Sequence, residues 1–275
     1  MLTVNITTTS SRIFLCSATV WSLVHQDLLP DEIVIWISAE PYLSDKGINE
    51  EPSFVAEVNN ICNREIVKVR YVKNTGPYRK IFPALKCAEE NDVLVYADDD
   101  VVYDNQWLST LLSFFDDNGR KYIVASRIRR VTYNFFGRRK SYETFPLVKN
   151  NNILADDFII TGVGGAILMK NHIDSKYIFD ESFIEICPKT DDIWISKIIE
   201  LSKSKVLPCP QALNFVQEIL HSNFSLSATN TIFSKGMGLF KFFTKFKIKL
   251  LAYLGHLNTN NDRCIRQVEK YFSDK

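Results

Sequence analysis

Val93-Leu94-Val95-Tyr96-Ala97-Asp98-Asp99-Asp100-Val101 is an apolar run that ends in three consecutive carboxylates. Its unbroken apolar centre predicts a strand covered on both faces, as strands of parallel α/β sheets are. Three like charges at one strand terminus repel one another unless a cation offsets them. A hard divalent ion suits the place, because Asp98 and Asp100 form an Asp-x-Asp pair able to ligate Mg²⁺ or Mn²⁺ while phosphate oxygens take other positions. The competing reading is an acidic loop whose carboxylates cap a helix beginning near Asn105.

Upstream, short β-branched runs alternate with segments of helical apolar spacing, the pattern of a parallel α/β sheet. Strands are predicted over 3–8, 33–37, 66–72 and 93–97, and helices over 13–26, 54–62, 80–90 and 107–115. Ligands of such sheets bind beyond the carboxyl ends of the strands, so the residues after each strand are the candidate site. Downstream, regularity weakens from 117 to about 190, where a basic, aromatic stretch carries Arg127, Arg129, Arg130, Arg138, Arg139 and Lys140. A helix is predicted over 191–201, with Ile195, Ile198 and Ile199 on one side, and a different C-terminal section follows Pro210. There is no internal repeat.

With 275 residues, 46% of them hydrophobic, the chain can bury the core of one large domain, or of one domain with a small appendage. Lys and Arg number 33 against 32 Asp and Glu, which gives no reason to expect wholesale binding of nucleic acid. The six cysteines lie far apart, without the close pairs of a zinc site or a secreted disulfide framework, so reduced thiols in a cytosol are expected. Residues 3–11 are polar and β-branched, unlike a signal peptide. The longest apolar helix candidate, 13–26, falls short of the roughly 18 to 20 residues a membrane span needs.

Further pieces follow in order. Thr7-Thr8-Thr9-Ser10-Ser11-Arg12 succeeds the first strand, and Ser22-Leu23, Gln26, Pro30 and Asp31 lead into the second. Then come Thr75-Gly76-Pro77-Tyr78-Arg79-Lys80, the acidic triplet, Gly162-Val163-Gly164-Gly165, and Asp191-Asp192 opening a helix. With these pieces the chain, over roughly 3–205, resembles the GT-A glycosyltransferases, in particular bacterial family 2 members that build capsule and lipopolysaccharide chains.

The resemblance implies a GT-A, Rossmann-like catalytic domain over 1–210, with a nucleotide-binding half to about 116, an acceptor-binding half over 117–210, and a C-terminal helical appendage over 211–275. It implies transfer of a sugar from a nucleotide-diphosphate donor, UDP-linked in the family's usual case, to a hydroxyl of a glycan or lipid-linked glycan in surface polysaccharide synthesis. Thr8, Arg12, Ser38 and Glu40 would bind base and ribose, where turn chemistry and helix capping are the alternative. Lys80 would stand beside base or diphosphate; the helix dipole disfavours a cation there, which argues for a role. Asp98 and Asp99 would face the nucleotide, with Asp98 and Asp100 on the metal. Gly164 and Gly165 would let backbone approach donor or acceptor, or make a tight turn before a strand. Asp192, or else Asp191, would deprotonate the acceptor, which implies inversion; the family's usual pair is Glu-Asp. Thr190 capping a helix whose first turn is acidic explains the same residues without catalysis. His221 is placed to complete the metal site.

Residues 232–256 carry Lys235, Lys241, Lys245, Lys247 and Lys249 without an acid, and Leu239, Phe243, Phe246, Leu250 and Leu254 recur at helical spacing. That describes a basic amphipathic helix, which either lies at the inner face of an anionic membrane or packs on the catalytic domain. A haloacid-dehalogenase-type phosphohydrolase using Asp98 and Asp100 is the alternative enzyme, but its nucleophile lies on the first strand of its domain. A sugar-nucleotide-forming nucleotidyltransferase would need a glycine-rich basic N-terminal loop that the chain lacks. An inactive binding module is the third alternative.

Overall fold

The computed structural model describes residues 1–219 and 247–274. His221 and the 232–246 part of the expected basic helix lie outside them. The first half alternates strand and helix: β1 (Leu2–Thr7), α1 (Ile13–Leu23), β2 (Glu32–Ile37), α2 (Phe54–Ile61), β3 (Val67–Tyr71), α3 (Phe82–Cys87) and β4 (Val93–Tyr96). β4 pairs in parallel with β1, β1 with β2, and β2 with β3.

The expected helix over 80–90 is shorter, Phe82–Cys87, and two prolines bracket its start. Pro77 opens a 3-10 turn, Gly76–Lys80, and Pro83 sits in the first turn of α3. Pro83 has no N–H to give the carbonyl of Arg79, four residues before it, and its ring crowds that carbonyl, so the helix cannot run on from the turn; the chain breaks at Ile81 and restarts. That break turns Arg79 and Lys80 inward, where both are buried.

The second half adds β5 (Val101–Tyr103), α4 (Trp107–Asp117), β6 (Ile123–Ala125), β7 (Ile128–Arg130), β8 (Phe158–Ile160) and β9 (Ala166–Leu168). It continues with α5 (Ser175–Ile178), α6 (Phe183–Ile186), α7 (Asp191–Leu201), β10 (Val206–Pro208), β11 (Val216–Glu218) and α8 (Asn260–Ser273). The main sheet has seven strands in the order β10-β6-β9-β4-β1-β2-β3. β9 is antiparallel to both neighbours, β4 and β6, and the remaining pairings are parallel. Two small pairs, β5 with β11 and β7 with β8, stand outside it.

Alternate residues of the strands feed two cores. Val34, Trp36, Leu94, Tyr96, Ala166 and Leu168 belong to one face, and Val4, Ile6, Ile33, Ile35, Val95 and Ile167 to the other. The one strongly polar side chain inside β1, Asn5, is satisfied: its Nδ2 donates to Thr3 Oγ1 and Val95 O, and Trp36 Nε1 donates to its Oδ1. α8 joins the first core through Cys264, Ile265 and Val268, and its Tyr271 and Phe272 pack on Trp194 of α7 with ring centroids 5.6 and 5.0 Å apart. Among the described residues no helix is long and apolar enough to cross a membrane, and all six cysteines are free.

Candidate active site

The loops after β1 and β4, the 3-10 turn before α3, and the start of α7 enclose a cleft of about 360 Å³. The acidic triplet lines it. Its backbone is pinned from several sides: Tyr103 Oη accepts from Asp98 N at 3.1 Å, Thr19 Oγ1 accepts from Val101 N at 3.2 Å, and Ile219 N donates to Asp100 O at 2.8 Å. The helix-capping reading of these acids is not what the structure shows. α4 follows Gln106 with no side-chain cap, and the Asp98–Asp100 carboxylates turn to cations of the protein.

Two cations, half-buried Arg12 and buried Lys80, share the triplet. Arg12 reaches Asp99 Oδ1 at 2.5 Å and Asp100 Oδ2 at 2.9 Å. Burial disfavours its charge, but Asp99, Asp100 and Asp98 outweigh burial and hold the guanidinium ionised. Lys80 Nζ lies 2.9 Å from Asp98 Oδ1 and 2.8 Å from Asp191 Oδ2, bridging the triplet to the acidic pair on α7. Burial alone would lower this ammonium; Asp191, then Asp98 and Asp192, overcome it and hold Lys80 well above its ordinary value. Part of the repulsion expected among the acids is therefore relieved by the chain itself. Burial still pushes Asp99 up to about 6, against the pull of Arg12.

Asp192 stands beside this bridge. Its Oδ1 accepts from Gly162 N at 3.0 Å, and burial, then the neighbouring Asp191 charge, raise its carboxyl well above the usual range. α7 is seated by Ser196, whose Oγ donates to Asp192 O at 2.6 Å and accepts from Ile160 N of β8 at 2.9 Å. Thr190 does not cap α7 with its side chain; its hydroxyl lies 2.8 Å from Cys187 Sγ.

Gly162 has a reason to be glycine. A Cβ there would stand 2.6 Å from Lys80 Nζ and closer still to Asp98 Oδ1. Gly164 and Gly165 act behind the cleft rather than on it. Both have positive φ, +97° and +77°, and a Cβ on Gly165 would lie 2.5 Å from the Trp107 ring, while Trp107 Nε1 and Ser126 Oγ both donate to Gly164 O at 2.7 Å. They make the tight turn into β9.

Thr8 lies on the cleft wall, its carbonyl accepting from Arg79 Nη2 at 3.1 Å. Ser38 and Glu40 are not part of the described lining. Ser38 is buried, with its Oγ accepting from Glu40 N, and Glu40 is exposed with its carbonyl accepting from Asn74 Nδ2. Asp45, which the sequence did not single out, organises this corner: buried, it accepts from Ser10 N, Asn74 Nδ2 and Arg79 Nη2 at 3.0 to 3.3 Å. Arg127, Arg129, Tyr142, Lys189, Glu218 and Asn261 also line the cleft. The basic stretch after residue 120 was the available signal for the two arginines; Asn261 arrives only because α8 folds back.

Within the triplet Asp98 and Asp100, with side chains 25% and 24% exposed, are the carboxylates open to the cleft. Among the described residues no three His, Cys, Asp or Glu side chains converge as a metal cage. Mg²⁺ and Mn²⁺ need no such cage, since one or two carboxylates suffice when phosphate oxygens and water supply the rest. The donor set thus fits an ion that arrives with a phosphorylated ligand.

The mostly parallel Rossmann-like sheet, with an acidic turn at the carboxyl end of β4 and an acidic helix start facing it, is of the GT-A fold class. The glycosyl transferase family 2 model matches residues 17–177, and the chain belongs to that family. It is the family to which the sequence's resemblance pointed. Similar solved structures include S. aureus TarS 1–349, at 16% identity and a TM-score of 0.46 over 76% of this chain and 58% of that one. GalNAc-T7 with UDP, GalNAc and Mn²⁺ gives 15% identity and 0.46, over 76% of this chain and 42% of that one. A 4-diphosphocytidyl-2C-methyl-D-erythritol synthase from Anaerococcus prevotii gives 9% and 0.40, over 67% and 80%. The chain thus spans about half the length of the first two. A comparison with curated proteins finds no match.

Proposed function

We propose that the chain is a metal-dependent inverting glycosyltransferase that moves a sugar from a nucleotide-diphosphate donor, of the UDP type, to a hydroxyl of a glycan or lipid-linked glycan acceptor in surface polysaccharide synthesis. The observation that carries this reading is the convergence on one cleft of Asp98 and Asp192, with Lys80 bridging Asp98 to Asp191. Displacement of a diphosphate from an anomeric carbon needs two things: charge stabilisation on the leaving group and a base on the opposite partner. The two acidic clusters have the chemistry for one each.

Asp98 and Asp100 would hold Mn²⁺ or Mg²⁺, which when bound neutralises charge building on the departing diphosphate. Arg12 keeps Asp99 and Asp100 oriented, and Arg127, Arg129 and Lys189 add positive charge on the same cleft. Asp192 takes the acceptor's proton. A carboxylate with a raised pKa is a stronger base once ionised, and the Gly162 N–H fixes its Oδ1 so that the other oxygen is the one left to receive the proton. Lys80 pairs with Asp191 beside it at 2.8 Å. Base displacement of this kind implies inversion. Thr8 and the Arg79-bound loop around Asp45 suit the nucleoside end of the cleft, where Ser38 and Glu40 shape the second strand's exit from behind.

The test is thermal unfolding with uridine diphosphate, with and without Mn²⁺, together with hydrolysis of a panel of nucleotide sugars. Stabilisation by the nucleotide only when metal is present, and slow release of sugar from one donor, is the expected result. Phosphate release from a monoester, with no metal-dependent nucleotide stabilisation, would overturn the proposal in favour of a phosphohydrolase.

A further inference from the structure

Phe135 and Phe136 are adjacent, and they are 90% and 78% exposed. Two neighbouring aromatic rings in water call for an explanation, because isolated exposed apolar residues are ordinary but a presented pair is not. The loop that carries them is held rigidly. Asn134 is buried, its Oδ1 accepts from Phe136 N at 2.9 Å and from Arg138 N at 3.1 Å, and its own N–H donates to Arg138 O at 2.8 Å. Gly137, at φ +71°, closes the turn, and a bridge joins Tyr133 to Arg139.

The tip rests on the helical residues 247–253. Asn134 Nδ2 donates to Tyr253 O at 3.2 Å, Phe135 N to Tyr253 Oη at 3.3 Å, and Ser141 N to Ala252 O at 2.9 Å. Leu250 and Tyr253 on that helix are themselves 47% and 39% exposed. Cations accompany the rings. Arg138, Lys140, Lys247 and Lys249 lie in these two segments, and neither 133–140 nor 247–256 contains an acid. Lys140 stands over the Tyr253 ring at 5.2 Å, and Lys247 and Lys249 are exposed.

We propose that this tip and residues 247–253 form one docking surface for an anionic lipid bilayer, with Phe135 and Phe136 entering the headgroup and acyl boundary and the cations remaining among the lipid charges. Interfacial segments combine these two features, aromatic or aliphatic side chains on the wet side of the acyl region and Lys or Arg facing anionic headgroups. A second copy of the chain is a poorer occupant. Two rings fall short of the about 800 Å² per partner of a stable interface, and the facing copy would present the same positive charge. Tyr142 and Asn261, which line the cleft, adjoin this surface: Ser141 N donates to Ala252 O at 2.9 Å, and the next residue, Tyr142, donates its N–H to Asp262 Oδ1 at 2.8 Å. Docking would therefore bring the cleft near lipid. Only this last consequence, the delivery of a lipid-linked acceptor, rests on the proposed function.

Sedimentation of the full chain with phosphatidylcholine vesicles, with and without about one third phosphatidylglycerol, tests the surface. Binding to the anionic vesicles alone, falling as salt rises, is expected. The double variant Phe135→Ser/Phe136→Ser should lose about tenfold or more in partition, with its unfolding temperature and its stabilisation by nucleotide and Mn²⁺ unchanged. Hydrogen exchange on the unaltered chain provides a second reading: vesicles should slow exchange at the amides of 135–139. Undiminished vesicle binding by the double variant, absence of protection at the tip, or a dimer that becomes a monomer in the variant without any change in lipid binding would each overturn the proposal. A chain that binds vesicles but no nucleotide would defeat the transferase reading alone.

Discussion

Lys80 shows how much one side chain can decide. It is buried with two carboxylates within 2.9 Å, so replacing it by a neutral residue leaves the buried Asp191 without its partner cation. Lys80→Met should therefore cost about 3 to 5 kcal/mol in urea unfolding, and it should also abolish turnover. Gly162→Ala attacks the same contact sterically. The added methyl falls onto Asp98 and Lys80, and the expected result is a large loss of metal-dependent nucleotide binding with circular dichroism unchanged. Asp192→Asn should leave nucleotide binding near its starting level while lowering kcat by about 10²- to 10⁴-fold, the usual range for a lost general base. Each of these residues was visible in the sequence as a type in a motif. That Lys80 joins two motifs 93 residues apart, Asp98 to Asp191, was not visible, because nothing local to Lys80 specifies Asp191.

At the scale of elements, the start of α7 sets a pH response. Burial and the charge of Asp191 raise the Asp192 carboxyl, so its base form is populated only above the ordinary carboxylate range. kcat/KM should accordingly rise with pH to a point above that range. Asp191→Asn removes the like charge and leaves Lys80 nearer to Asp192 alone; both effects lower the Asp192 pKa, so the acid limb of the profile should move to lower pH. The turn before β9 gives a stability test. Gly165 combines φ +77° with a Trp107 ring where a Cβ would go, and Gly165→Ala should cost about 2 to 4 kcal/mol in chemical denaturation, from strain and overpacking together. Glycine-rich spacing announced a turn there. Which wall the turn packs against depends on α4, which crosses beneath it.

Across the whole molecule, α8 closes the first core over Trp194, whose ring is fully buried among Phe183, Tyr271 and Phe272. Trp194→Ala should cost about 3 to 5 kcal/mol, and Trp194→Phe distinctly less, since the indole N–H has no hydrogen-bond partner among the described residues. The C-terminal section expected as an appendage thus contributes through α8 to the main core and, through Asn261, to the cleft wall. The amphipathic spacing of α8's apolar residues is local information. Its seat on α7 is not, because an amphipathic face states only that something covers it.

The chain's own order of residues determined the parallel half of the sheet, since apolar β-branched runs separated by helical spacing admit few other arrangements. It also determined the acidic turn after β4 and the acidic start of α7, for those are charges at element ends and need no partner to be read. Tertiary structure alone decided that Arg12 and Lys80 stand between those acids, that Asp45 rather than Ser38 or Glu40 organises the neighbouring corner, and that β9 enters the sheet reversed. Strand direction, salt-bridge partners and the exit of a loop are relations between distant segments. They are fixed by which burial of the whole chain leaves the fewest charges and apolar faces uncovered, a sum that no local stretch contains.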